Sequence, residues 1–238
     1  MRYLFLFILT GLLNNVSKAQ NTPFSYTDTF GIERSVNEHE IISSENPSRV
    51  ISLNTDFSFI GMFDFKIPAN SEFPEEVFGK DIAAGERLVF VDDKDGVVER
   101  LIIFQFEGFL PEYDFTYNYS FPGSDSIGGI PFRNNVWFYN EAEFIRKNPT
   151  GVAFKTRQLI QENGLEYPDE IIMSRIVMVT NSERSHELII SYIETGKKNT
   201  LTLENWEEEF YSEDFKNQFT QEIKDRAIAA LRITPIAN

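Results

Sequence analysis

The chain has 238 residues, of which 37 are acidic and 22 basic, a formal charge of −15, and no cysteine. Such a charge repels phosphate backbones and argues against a nucleic-acid ligand. The missing thiols exclude disulfides, cysteine nucleophiles, iron–sulfur clusters and cysteine-held zinc, so the core must be built from apolar side chains, above all the 23 Phe.

In chain order, the first segment reads as an export signal. Arg2 gives a positive start, residues 3–13 are apolar apart from Thr10 and Gly11, and Ser17 and Ala19 place small residues where signal peptidase reads. The run is shorter than the roughly 20 apolar residues of a membrane-spanning helix. The expectation is a signal peptide at 1–19 and a mature protein beginning at Gln20, with no integral membrane segment after cleavage. The segment carries Arg2 and Lys18 and no acid, so the remainder has a charge of −17. The signal is similar to those of Gram-negative exported proteins, which implies a periplasmic or secreted protein. Residues 20–238 read as one α+β domain, divisible into a β-rich half at 24–122 and a mixed half at 136–238.

Residues 21–26 read as a leader, 29–44 as polar strand, and 50–53 as a short apolar strand. Phe57, Phe59, Phe63 and Phe65 fall on alternate positions with Gly61 in the gap. Period 2 predicts a strand with one buried face, and the glycine predicts a bulge. Residues 88–91 and 97–106 flank Asp95-Gly96, a hairpin signal. Tyr113, Phe115, Tyr117, Tyr119 and Phe121 alternate with Asp114, Thr116, Asn118 and Ser120, predicting a half-buried antiparallel strand. Residues 123–135, rich in Gly and Ser, read as a loop.

Asn140 and Glu143 are spaced as a capping box for a helix that Asn148-Pro149 ends. Residues 151–162 are ambiguous, and Asn163-Gly164 suits either a helix end or a turn. Residues 171–180 and 187–194 predict an apolar hairpin in the sheet interior. Asn205 with Glu208 is a second capping-box spacing. Ser212 predicts the cap of a last helix, whose Phe215, Phe219, Ile223 and Ala227 recur every four residues. The fold class is α+β: a largely antiparallel sheet with aromatic-rich strands and a C-terminal amphipathic helix packed on it. The pattern of 171–180, 186–194 and 215–231 resembles the PsbP-like fold, in which an apolar hairpin also precedes a terminal helix on the sheet. The resemblance covers about a quarter of the chain and implies a binding or assembly role.

No catalytic motif is present. The two histidines, His39 and His186, lie beside glutamates, but both read as surface residues rather than metal ligands, and Asp92, Asp93, Asp95 and Gly96 do not fit the EF-hand frame. No cofactor is implied. The aromatic ladders read mainly as core. The candidate recognition surface is Tyr117, Tyr119, Arg133, Asn135, Trp137 and Tyr139, because Tyr, Trp and Arg are the residues that interfaces favour. The leading expectation is a non-catalytic binding or assembly protein of the bacterial envelope, with a protein or polysaccharide partner. The alternative is a hydrolase using paired carboxylates on an envelope or extracellular polymer.

Overall fold

The computed structural model describes residues 23–121, 126–207 and 210–236; residues 1–19, expected as a signal peptide, lie outside them. Asp95 and Gly96 both take positive φ, 55° and 79°. A two-residue turn of this kind matches the twist of its flanking strands, and it joins β6 (Asp81–Lys94) to β7 (Val97–Phe109). Around this hairpin stand β5 (Ser58–Pro68), β10 (Arg133–Asn140), β11 (Glu170–Val179) and β12 (His186–Thr195). They form an antiparallel six-stranded sheet in the order β10-β11-β12-β7-β6-β5. Because β12 pairs with β7, both halves of the sequence share this sheet.

A second antiparallel sheet, in the order β1-β2-β3-β4-β13, consists of β1 (Phe24–Thr27), β2 (Glu33–Asn37), β3 (Glu40–Ser43), β4 (Arg49–Leu53) and β13 (Leu231–Pro235). Residues 24–26, expected as part of a leader, therefore lie in an edge strand. The two sheets face each other. Ile41 and Ile51 of the smaller one, and Leu88, Phe104 and Ile190 of the larger, share one apolar cluster and are fully buried. Burial of this continuous apolar surface is the main stabilising term.

On the opposite face of the larger sheet, α2 (Val152–Glu162) brings Ile160 and Leu159 against Val89, Leu101 and Ile193. Residues 151–162 are thus a helix, and Asn163-Gly164 ends it. Gly164 has φ 76°, its N–H bonds to Gln161 O, and Leu165 N–H bonds to Ile160 O. This pair of bonds caps the last turn and returns Leu165 to the apolar cluster.

The expected caps are present, with one change. Asn140 accepts from Glu143 N–H at 3.0 Å at the start of α1 (Glu141–Lys147). Ser212 accepts from Phe215 N–H at 3.2 Å and starts α5 (Glu213–Ala229). That helix places Ile223 against Ile172 and Leu201, and Ala227 in the core between the sheets. Asn205, however, lies inside α4 (Leu203–Glu207), where Thr202 Oγ1 accepts from Asn205 N–H at 3.3 Å. The hydroxyl takes the capping role, and α3 (Gly196–Asn199) precedes it.

Three further readings change in the structure. The Phe57–Phe65 ladder does not lie on one face. The pairing of β5 with β6 shifts between Phe59 and Gly61, and the extra residue turns the side chains over. Phe57 and Phe59 belong to the core between the sheets, while Phe63 packs with the α2 cluster. Phe65 is opposite Gly85, and a Cβ on that glycine would come within 2.9 Å of the Phe65 ring.

Residues 113–121 are extended but not a strand. The alternation in burial survives, with Tyr117 buried and Asp114, Thr116, Asn118 and Ser120 exposed. The backbone bonds differently: Tyr117 N–H bonds to Arg184 O, and the Arg184 guanidinium donates to the carbonyls of Tyr117 and Tyr119 at 2.8 and 2.9 Å. Residues 123–135, expected as a loop, contain the short ribbon of β8 (Ser126–Ile127) and β9 (Ile130–Pro131). Ile127, Ile130 and Phe132 are buried at the edge of the core between the sheets.

Candidate functional site

Strand β10 ends the larger sheet, and its side chains divide between two faces. Val136 and Phe138 point to α4 and α5, where Phe138 meets Trp206 edge-on at 5.8 Å. Arg133, Asn135, Trp137 and Tyr139 occupy the opposite face, opposite Val177, Arg175, Met173 and Ile171 of β11. Arg133–Asn135 therefore belong to an edge strand and not to a loop.

The six candidate residues form two groups. Tyr117 stacks on Phe109 at 4.6 Å and on Tyr119 at 5.8 Å, and the Arg133 guanidinium lies 4.6 Å over the Tyr119 ring. Tyr117 is buried, and its hydroxyl donates to Glu107 Oε1 at 3.3 Å, so it supports the surface from beneath. Burial pushes the Tyr119 hydroxyl up to about 12, with the Glu187 charge adding to the shift. Further along β10, Trp137 is 42% exposed and Tyr139 donates to Met173 Sδ at 3.9 Å. Burial first, and the Glu141 charge second, raise the Tyr139 hydroxyl. Exposed Asn135 stands between the two groups.

Each group borders a cavity. One, of about 560 Å³, is lined by Trp137, Tyr139, Phe144, Met173, Arg175 and Leu203. The other, of about 410 Å³, is lined by Arg133, Asn134, Asn135, Gln221 and Lys224, with no acidic side chain among the described residues. Arg133 Nε and Asn134 Nδ2 are shielded from solvent and have no hydrogen-bond partner among the described residues. Sequence reasoning missed Phe144, Met173 and Lys224, because spacing along one strand does not show what packs across from it.

It also missed a buried polar strip on the same sheet face. Glu107 and Glu187 are direct cross-strand neighbours. Burial, then the charge of Glu107, pushes the Glu187 carboxyl up to about 9, against the pull of Arg175. Gln105 Nε2 donates to Glu107 Oε2, and Arg87 Nε donates to Gln105 Oε1 at 2.5 Å. Desolvation lowers Arg87 to about 10. The signal was present in the sequence as Gln105 and Glu107, two polar residues two apart in an apolar strand.

Between the sheets, Arg34 Nη1 bridges Asp28 Oδ2 and Glu86 Oε1, each at 2.5 Å. One guanidinium serves two carboxylates, and burial outweighs its pull, so Glu86 rises to about 8. The histidines are separately engaged. His39 Nδ1 contacts Phe57 O at 2.6 Å. His186 is half-buried rather than on the surface, edge-on to Phe30 at 4.7 Å, and desolvation lowers its pKa. Among the described residues no group of three or more His, Asp or Glu is placed to hold a metal ion, and no helix is long and apolar enough to cross a membrane.

Comparison with known protein families, with curated proteins and with solved structures finds no match. The elements that suggested a PsbP-like arrangement are present as β11, β12 and α5, and the comparisons add no relative to that resemblance.

Proposed function

We propose that this is an exported, non-catalytic binding or assembly protein of the bacterial envelope, periplasmic or secreted, and that it recognises a protein or polysaccharide partner along β10. The observation carrying this reading is that Trp137 and Phe144, 42% and 52% exposed, flank one cavity. Large rings left open beside a concavity form the kind of anchor that dominates binding energy at interfaces. The hydroxyl and guanidinium groups of Tyr119 and Arg133 extend the same surface with polar contacts.

The buried carboxylate pair does not serve the hydrolase alternative; the acids that line a cavity beside β10 are Glu143 and Glu207. Glycosidase carboxyls stand about 5–9.5 Å apart across a substrate. Glu107 and Glu187 are 7% and 2% exposed and adjacent in the sheet, Tyr117 is bonded to Glu107, and neither acid lines the cavities beside β10. The test is capture of partners from the native envelope by the mature protein and by Trp137→Ala and Arg133→Ala, each first shown to melt like the parent. Loss of about 2 kcal/mol or more of binding at Trp137 is expected for an interface anchor. Retention of every partner by both variants refutes the assignment.

A further inference from the structure

Sheet edges are exposed templates for pairing with another chain, and proteins protect them with short strands, proline, bulges, charge or covering groups. Of the four edges of the two larger sheets, three carry such protection. Strand β1 has four residues, and β13 has five and ends in Pro235. Strand β5 has a register shift at Gly61 and ends in Pro68. Two of its carbonyls are occupied from α2 and its cap, Ile60 O by Asn163 Nδ2 and Asp64 O by Lys155 Nζ, each at 3.2 Å.

The edge of β10 has neither proline nor bulge, and its single charged side chain is Arg133 at its start. It runs for eight residues, Arg-Asn-Asn-Val-Trp-Phe-Tyr-Asn, with no proline and no lysine. Its ladder with β11 continues without a register shift from Arg133 to Asn140. Among the described residues, no backbone group outside that ladder bonds to β10 between Arg133 and Tyr139. Both cavities straddle the edge, since consecutive residues from both faces line each one: Arg133–Asn135 at one end, Trp137–Asn140 at the other.

We propose that the β10 edge receives an extended segment of a protein partner as an added strand, with an acidic side chain in the Arg133–Lys224 cavity and an apolar side chain in the Trp137–Phe144 cavity. The proposal rests on the recognition surface proposed above and makes its partner a polypeptide. Charge selects the occupant. In a chain of net charge −15, this cavity presents two cations and, among the described residues, no acid. A carboxylate supplies the missing charge and can pair with the accessible guanidinium and ammonium donors. The main-chain ladder supplies affinity, and the two cavities supply sequence preference. Arg133 and Trp137 are four residues apart, about 13 Å along a strand, so the acidic and apolar residues of the segment lie about four positions apart.

The test begins with a displayed library of random decapeptides panned against the mature protein. Enriched peptides should lack proline at the centre and carry Asp or Glu about four positions from an aromatic or aliphatic residue. A synthetic peptide of that sequence is then titrated by fluorescence polarisation. Trp137→Lys, which places charge on the edge, and Lys224→Glu should each weaken binding tenfold or more. Asn135→Lys tests the same edge without removing a ring, should Trp137→Lys fail to fold. N-methylation of alternate peptide amides should abolish binding in one register and spare it in the other. Indifference to N-methylation in both registers, with Trp137 still required, overturns strand addition and leaves the recognition surface standing. No enrichment overturns the peptide occupant. A concentration-dependent dimer abolished by Trp137→Lys overturns it in favour of a second copy of the chain.

Discussion

The aromatic ladder of β5 makes the sharpest test of the fold, because its rings should have unequal value. Phe57 is fully buried in the core between the sheets, and the Arg100 guanidinium lies 5.0 Å over its ring, held there by Asp56 and Asp92 at 2.8 and 2.6 Å. Removing a buried Phe ring costs about 3–5 kcal/mol, and a partly exposed cation–π contact adds about 0.5–1 kcal/mol. Phe57→Ala should therefore destabilise by about 4 kcal/mol. Phe59 is only half-buried, touching Phe90 at 5.2 Å and Phe24 at 5.7 Å, and about half the usual ring loss, roughly 2 kcal/mol, is expected for Phe59→Ala. The bulge at Gly61 adds a second condition. Phe59 and Phe63 lie in different clusters, so their losses should add within about 0.5 kcal/mol, whereas Phe59 and Phe90 should couple by about 0.5–1.5 kcal/mol. Urea denaturation followed by circular dichroism, with unchanged m values, measures all of these. Equal losses at Phe57 and Phe59 would contradict the partial exposure of Phe59, and strong coupling of Phe59 to Phe63 would show that the ladder lies on one face after all.

Stability should fall as pH rises from about 5 to 9. Glu187, Glu86 and Glu141 are pushed up to about 9, 8 and 7 by burial, so the folded state holds protons that the unfolded chain releases above its ordinary carboxyl range. Each such group can contribute up to about 1.4 kcal/mol per pH unit between its two pKa values, and Glu187→Gln should flatten the slope of thermal midpoint against pH relative to the parent. Gly85→Ala should cost at least about 1–3 kcal/mol by overpacking, because its Cβ would meet Glu107 Cβ at 2.8 Å and the Phe65 ring at 2.9 Å. Gly164→Ala, with nothing within 4 Å but φ 76°, should cost about 1–2 kcal/mol from the backbone alone. Denaturation of the two alanine variants checks both values, and a loss at Gly164 exceeding that at Gly85 would contradict the packing described.

Much of the local structure was legible because its cause is local. Asp95-Gly96 specifies its hairpin through φ alone, and Ser212 and Asn140 cap their helices through side-chain oxygens a few residues from the N–H groups they bind. The bulge at Gly61 was legible as an event, but not in its consequence. Which face Phe63 takes depends on whether β6 pairs in or out of step beyond Phe59, and that is fixed across the sheet. The segment 113–121 was misread for a related reason. Alternation in sequence reports alternation in burial, and that holds from Tyr113 to Ser120. It does not report what bonds the backbone, which here is Arg184, 65 and 67 residues further on. The candidate site was legible as a set of residue types. Its division into two groups was not, because the division is made by Met173 and Phe144 at one end and by Lys224 at the other.

The buried polar strip and the exposed edge are connected through that misread segment. Its alternate rings cover the sheet where α2 does not reach, and Tyr117 brings a hydroxyl into the cover. A hydroxyl facing a sheet needs a partner, and Glu107 supplies it. Glu107 in turn stands beside Glu187, which holds its proton in the neutral range. The same cover places the Tyr119 ring under Arg133. A guanidinium held over a ring keeps its direction without spending its charge on a carboxylate, and among the described residues Arg133 makes no ion pair. Its buried Nε has no acceptor among the described residues, at the start of a strand whose edge has neither proline nor bulge. The cost of burying acids beneath 113–121 is thus linked to the gain of an oriented cation on β10.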